Sequence, residues 1–90
     1  MKRYVIEREV PGFGSSDVSG FCHAAKVSND ALSKLAPRVQ WEHSYVVGNG
    51  TFCIYLAEDE AAIWEHARLS RFPANRVTEV MRMIDPTTAG

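Results

Sequence analysis

Hydrophobic and polar positions alternate with period 2 in three places along the chain and with helical spacing in two. Residues 3–10 read as a strand with Tyr4 and Ile6 on one face and Val5, Glu7 and Glu9 on the other. Pro11-Gly12-Phe13-Gly14 ends it, because proline donates nothing to a ladder and the glycines free the backbone. Ser15, Ser16 and Asp17 offer N-cap oxygens to a helix over 18–35, whose apolar positions are Val18, Phe21, Cys22, Ala25, Leu32 and Leu35. Pro37 closes that segment.

Residues 40–57 organise the rest of the chain. Val39, Trp41, His43, Tyr45 and Val47 alternate, as do Phe52, Ile54 and Leu56, around a Gly48-Asn49-Gly50 turn, which is a strong hairpin signal. Glu58 and Asp59 place negative charge at the start of a second helix that runs to about Ser70, with Ile63, Ala67 and Ser70 inward. Phe72-Pro73-Ala74-Asn75 is the next break, and residues 76–84 form a last strand stopped by Asp85-Pro86. Residues 87–90 are a short polar tail after a single domain over 1–86.

The predicted order is β-α-β-β-α-β. Two right-handed βαβ crossovers joined by a hairpin give an α+β, ferredoxin-like plan, a four-stranded antiparallel sheet with both helices on one face. Several strands carry apolar residues on both faces. Val5, Cys53, Tyr55, Met81 and Met83 are assigned to the face without helices, and a second copy of the same sheet is the simplest cover. The expectation is a homodimer.

Composition narrows the partners. The chain has 90 residues, 46% hydrophobic and 23% charged, with a net charge of −1, and so lacks the basic excess of a nucleic-acid footprint. No apolar run approaches the ~20 residues that span a bilayer. Met1-Lys2-Arg3 is followed by no apolar h-region, so the N-terminus reads as mature sequence. Two cysteines, Cys22 and Cys53, are too few for a disulfide framework and fit a reducing cytoplasm. The expected partners are another copy of the chain and a metal ion or small molecule, with no nucleic acid and no membrane.

Candidate chemistry is sparse. His43 and His66 supply two imidazoles, donors suited to a divalent transition metal, although no His-x-x-x-His spacing is present. His43 equally suits a packed edge-strand residue, and His66 lies near a helix C-terminus that favours a cationic imidazole. Trp41, Tyr45 and Tyr55, with Cys53 central on its strand, are the candidate lining of a small-molecule pocket under the open face. Dimer packing accounts for these aromatics as well. An alternative from a different class is a cofactorless enzyme with a sheet-face cavity, His43 as general base and Tyr45 or Tyr55 orienting the substrate. The segment 11–16 occupies the place of a phosphate cradle but lacks the Lys-Ser/Thr of a P-loop.

The strand R-Y-V-I-E-R-E-V-P-G, the hairpin V-Q-W-E-H-S-Y-V with F-C-I-Y-L-A, the helix end E-H-A-R and the ending F-P-A-N-R-V-T-E-V resemble a widespread bacterial family. Its members are small ferredoxin-like proteins often labelled nickel-binding, because one branch binds nickel. The resemblance covers nearly the whole chain. In that branch the first strand carries Asp-x-His and the second helix carries two histidines a turn apart. Those positions correspond to Val5 and Glu7 and to His66 and Ser70. His66 matches outright, and Glu7 is the possible substitute ligand that the resemblance implies. Small monooxygenases and isomerases of the dimeric α+β barrel type share this fold plan and are what the enzyme alternative resembles.

Overall fold

The computed structural model describes all 90 residues. Strand β1 (Lys2–Glu9) leads to helix α1 (Val18–Leu35), then β2 (Val39–Val47), β3 (Gly50–Ala57), α2 (Glu60–Ser70) and β4 (Arg76–Val80). Short 3-10 turns occupy Phe13–Ser15 and Pro86–Ala89. The four strands form one antiparallel sheet in the order β2-β3-β1-β4, the ferredoxin-like α+β arrangement. No helix is long and apolar enough to cross a membrane.

Local chemistry sets the element ends. The Asp17 carboxylate accepts from the Gly20 N–H at 2.9 Å and caps α1, and Asp59 accepts from Ala62 N–H at 2.9 Å and caps α2. Arg71, at φ 63°, takes the left-handed position that closes α2. Asn49 at the hairpin tip ties the chain after β1 to the turn. Its side-chain oxygen accepts from Gly12 N–H at 3.0 Å and its carbonyl from Val10 N–H at 2.9 Å. Gly50 opens β3 at φ 155°, so close to β1 that a Cβ would sit 1.9 Å from the Arg8 carbonyl oxygen.

The core lies between the helices and one sheet face. Tyr4, Ile6, Cys53, Tyr55 and Ala57 from the sheet pack with Leu35, Ala62 and Ile63 from the helices. Three expectations are corrected here. Cys53 and Tyr55, assigned to the uncovered face, point to the helices. They pair with Ile6 and Tyr4, whose side chains lie on the covered face, and strand pairing puts directly opposed residues on the same side. The uncovered face carries Phe52, Ile54 and Leu56 instead, beside Val5 and Val80.

The second correction concerns β2. A β-bulge at Glu42 lets Trp41 pair with Tyr55 and His43 with Ile54, so Trp41 faces the helices while His43 and Tyr45 face away. One extra residue reverses the parity of everything after it. The third is the length of β4, which ends at Val80 and not at Ile84. Val80 pairs with Arg3, and β1 begins at Lys2, so no partner strand remains for Met83 or Ile84. Met81, Met83 and Ile84 continue as an exposed arm. In α1 the buried positions are Ser28, Ala31 and Leu35, while Val18 and Cys22 are exposed.

Gly50→Ala is expected to destabilise the fold by roughly 2–4 kcal/mol, because the new methyl meets both strained φ and the Arg8 carbonyl. Urea unfolding measures this; a loss below about 0.5 kcal/mol would show that β1 and β3 separate freely at that point.

Candidate functional site

The covered side of the sheet is not filled throughout. A cavity of about 370 Å3 lies between α1 and the sheet. The sheet supplies its floor with Arg8, Trp41, Ser44, Thr51, Cys53 and Tyr55, all at helix-facing positions. α1 supplies the roof with Phe21, Ala24, Ala25 and Ser28. Phe13 and Phe72 complete the wall. The space exists because α1 presents small side chains here. Close-packed interiors leave no voids of this size unless side chains are too short to meet. The bulge at Glu42 contributes too, since it turns Ser44 and Val46 into the cavity.

A chain of polar groups runs along one wall. The Ser28 hydroxyl lies 3.1 Å from the Tyr55 hydroxyl and 3.2 Å from His66 Nε2. The rings of Tyr55 and His66 are 5.0 Å apart and tilted, and Trp41 stacks on Tyr55 at 6.4 Å. His66 is only 1% exposed. Burial, reinforced by the positive charge of Arg8 and partly offset by Ser28, pushes its pKa down from 6.5 to about 4. The imidazole is therefore neutral at pH 7, contrary to the cationic role that its place near the end of α2 suggests. Burial likewise raises the Tyr55 hydroxyl above its ordinary value, so it stays protonated. Thr51 Oγ1 lies 3.2 Å from Cys53 Sγ.

Arg8 is the outlier. It is 6% exposed on the helix-facing side of β1, the third inward residue after Tyr4 and Ile6. Nη1 donates to the Pro73 carbonyl at 2.8 Å, and the guanidinium carbon lies 5.9 Å from the ring centres of both Tyr55 and Phe72. Nη2 is buried with no hydrogen-bond partner.

Of the four residues expected to line a pocket, Trp41, Cys53 and Tyr55 lie on this cavity, while Tyr45 is on the opposite face. The cavity itself lies under the helices and not on the open sheet face. The three expected metal ligands do not come together. Glu7 faces away from the helices, with Arg76 at 3.8 Å. His43 is exposed on that same side with Nε2 3.1 Å from the Tyr45 hydroxyl, and His66, on α2, is buried on the other side of the sheet. No group of three or more His, Cys, Asp or Glu side chains is placed to hold a metal ion. His43 also has no access to the cavity as a general base. Arg8, Ser28, Ser44 and Thr51 escaped the sequence reading. Arg8 continues the period-2 series of Tyr4 and Ile6, and Ser28 lies on the buried stripe of α1, three residues after Ala25 and four before Leu32.

These features define a small ferredoxin-like α+β protein with an intramolecular cavity between helix and sheet. The chain belongs to the SCO4226-like family, described as nickel responsive protein SCO4226-like, whose model matches residues 4–80. Its structure is similar to the crystal structure of SCO4226 from Streptomyces coelicolor A3(2), with a TM-score of 0.76 over 91% of this chain and 99% of that one at 10% identity. No curated protein matches the chain.

By linkage, the unfolded chain takes up a proton on His66 below pH 6.5 that the folded chain refuses until about pH 4, so stability is lost as pH falls through that window. Between pH 7 and pH 5 the wild type is expected to lose about 2 kcal/mol by this route. His66→Gln, neutral throughout, is expected to show a nearly flat profile. Urea midpoints at both pH values check this; equal slopes for the two proteins would mean that His66 titrates normally.

Proposed function

We propose that the protein binds a small, largely apolar molecule in the cavity between α1 and the sheet, as a homodimer formed across the open sheet face. The observation that carries the binding role is the cavity, whose volume of about 370 Å3 falls in the range of small-molecule sites. Its lining is mostly aromatic and apolar, with a few hydroxyls and one guanidinium to fix orientation. At ~30 Å3 for each water-sized group, it accommodates about a dozen non-hydrogen atoms.

The family description ties the SCO4226-like proteins to nickel. For this chain Glu7, His43 and His66 do not fit a nickel site within one copy, because the sheet separates His66 from the other two. Nickel responsiveness is therefore assigned no ligand set here. In calorimetric titration with Ni2+ the expected outcome is no site tighter than millimolar that depends on His66. A micromolar site lost in His66→Ala would restore the metal role.

The dimer is supported by what the open face carries. Val5, Phe52, Ile54 and Leu56, with Tyr45 and Val47 from β2, occupy adjacent strands with no element over them. The exposed Met81, Met83 and Ile84 arm continues from the edge of that sheet. Apolar surface of that extent is unusual on a monomer, and burying it yields several kcal/mol at about 25 cal/mol per Å2 before association entropy is charged. Met83 and Ile84, which have no strand partner within the chain, suit contact with the second copy.

Two experiments test these roles separately. Ala25→Leu, which fills the cavity from the roof, is expected to abolish binding of 2-naphthamide, a neutral aromatic probe, and to leave the fold intact by circular dichroism. Undiminished binding would place the probe elsewhere. Phe52→Lys is expected to shift the sedimenting species from about 20 to about 10 kDa at micromolar concentration. A wild type that sediments as a well-folded monomer at 100-fold higher concentration would remove the dimer.

A further inference from the structure

Arg8 has no carboxylate partner. The ion pairs of the protein are Lys2–Glu79, Arg3–Glu42, Arg38–Glu58, Arg68–Glu65 and Arg76–Glu7, all on side chains with substantial exposure. The other cations without a carboxylate partner, Lys26, Lys34, Arg71 and Arg82, are exposed to solvent, so Arg8 is the one that is both buried and without a counter-charge. Leaving a buried ion uncompensated is expensive, and structures that keep one usually satisfy it with an anion. The Pro73 carbonyl and the faces of Tyr55 and Phe72 offset part of that cost but supply no negative charge. Nη2, buried and unpartnered, belongs to a side chain that lines the cavity.

We propose that the cavity binds an apolar monocarboxylate, preferably an aromatic one, whose carboxylate meets the Arg8 guanidinium while its ring lies among Phe21, Trp41 and Phe72. The proposal rests on the cavity being a ligand site and adds the chemical class of the ligand. A guanidinium is suited to a carboxylate because its planar donors match two oxygens in geometry and charge. Arg8 is the one charged side chain on the cavity wall, so a single negative charge is balanced and a second is not. A phosphate dianion would bring surplus charge into a mostly apolar cavity with no further cation to receive it. The remaining donors are hydroxyls, on Ser28, Ser44, Thr51 and Tyr55, suited to the second carboxylate oxygen or to a ring substituent. His66 is held neutral and does not compete as a cation.

The closing experiment compares 2-naphthoate with its neutral isostere 2-naphthamide, by calorimetry at pH 7, in wild type, Arg8→Met and Arg8→Lys. Trp41 fluorescence offers a second readout. A buried charge-assisted hydrogen bond is worth about 1.5–3 kcal/mol, so wild type is expected to favour naphthoate by about 10- to 150-fold. Arg8→Met is expected to lose that preference and keep naphthamide affinity within about threefold. Arg8→Lys is expected to restore part of it. Without ligand, Arg8→Met should melt at or above the wild-type temperature, since it removes an uncompensated buried charge and keeps most of the volume. A merely structural Arg8 predicts the opposite shift.

Equal affinity of wild type for the two probes would overturn the carboxylate assignment and leave the cavity as a neutral-ligand site. So would an unchanged preference in Arg8→Met. Failure of both probes to bind wild type would remove the cavity as a site for molecules of this size, and the carboxylate with it. If Arg8→Met does not fold, the wild-type ratio and Arg8→Lys decide.

Discussion

A guanidinium held out of water without a carboxylate is the constraint to which the covered side of this sheet is adjusted. Arg8 occupies an inward position of β1, where the period-2 pattern calls for an apolar residue. Its neighbours are chosen accordingly. Tyr55 and Phe72 turn ring faces towards it at 5.9 Å, and the Pro73 carbonyl accepts one N–H. The same positive charge acts on His66, whose imidazole is already disfavoured as a cation by burial. Two buried cations so close would repel without compensation, so one stays neutral and meets Ser28, which also meets Tyr55. The serine in the buried stripe of α1 is thus accounted for by two partners across the core.

Much of the architecture is legible in the sequence. The capping aspartates, the Gly48-Asn49-Gly50 turn and the proline breaks mark element boundaries because each acts locally on the backbone. The helix over 18–35 is found at those bounds. Which face of a strand is buried is a different kind of information. It is readable only when one face is apolar and the other polar. In β3 both faces are apolar, and the larger set, Phe52, Ile54 and Leu56, turns out to be the uncovered one. The inward set of Thr51, Cys53 and Tyr55 is smaller and more polar because it borders a cavity and a hydrogen-bonded chain. In β2 the bulge at Glu42 separates Trp41 from His43 and Tyr45, and nothing in the spacing of those residues marks it.

The site was harder to read for a related reason. A functional residue advertises itself in sequence when it breaks a local pattern. Arg8 does break one, since it follows Tyr4 and Ile6 at the same spacing, but an arginine near a strand end reads as solvated. His66 was conspicuous as a histidine, yet its partners Ser28 and Tyr55 lie 38 and 11 residues away, and only the packing of α1 and α2 on β3 brings them together. Glu7 and His43 share the open face with each other and not with His66. Membership of the SCO4226-like family defines fold and ancestry. The 10% identity to the solved relative leaves the chemistry of the site to this chain's own side chains.

The two functional surfaces proposed for this protein are the two sides of one strand. Cys53 and Tyr55 of β3 face the cavity, and Phe52 and Ile54, between and beside them in sequence, face the open side. β3 is also flanked by β2 and β1, so its backbone is fixed on both edges. A copy seated on the open face would press on the outer side chains of the strand whose inner ones hold the ligand. A central strand has little freedom to bend, because its backbone is hydrogen-bonded to a neighbour along both edges. Association would therefore stiffen the cavity floor, lowering the ordering cost that a ligand must otherwise meet. The edge strand β2 lacks that double support and carries the bulge, so Trp41 and Ser44 are the part of the floor with most room to adjust. In the proposed complex, accommodation of different ring shapes would fall to them, and recognition of charge to Arg8 on the inner strand β1.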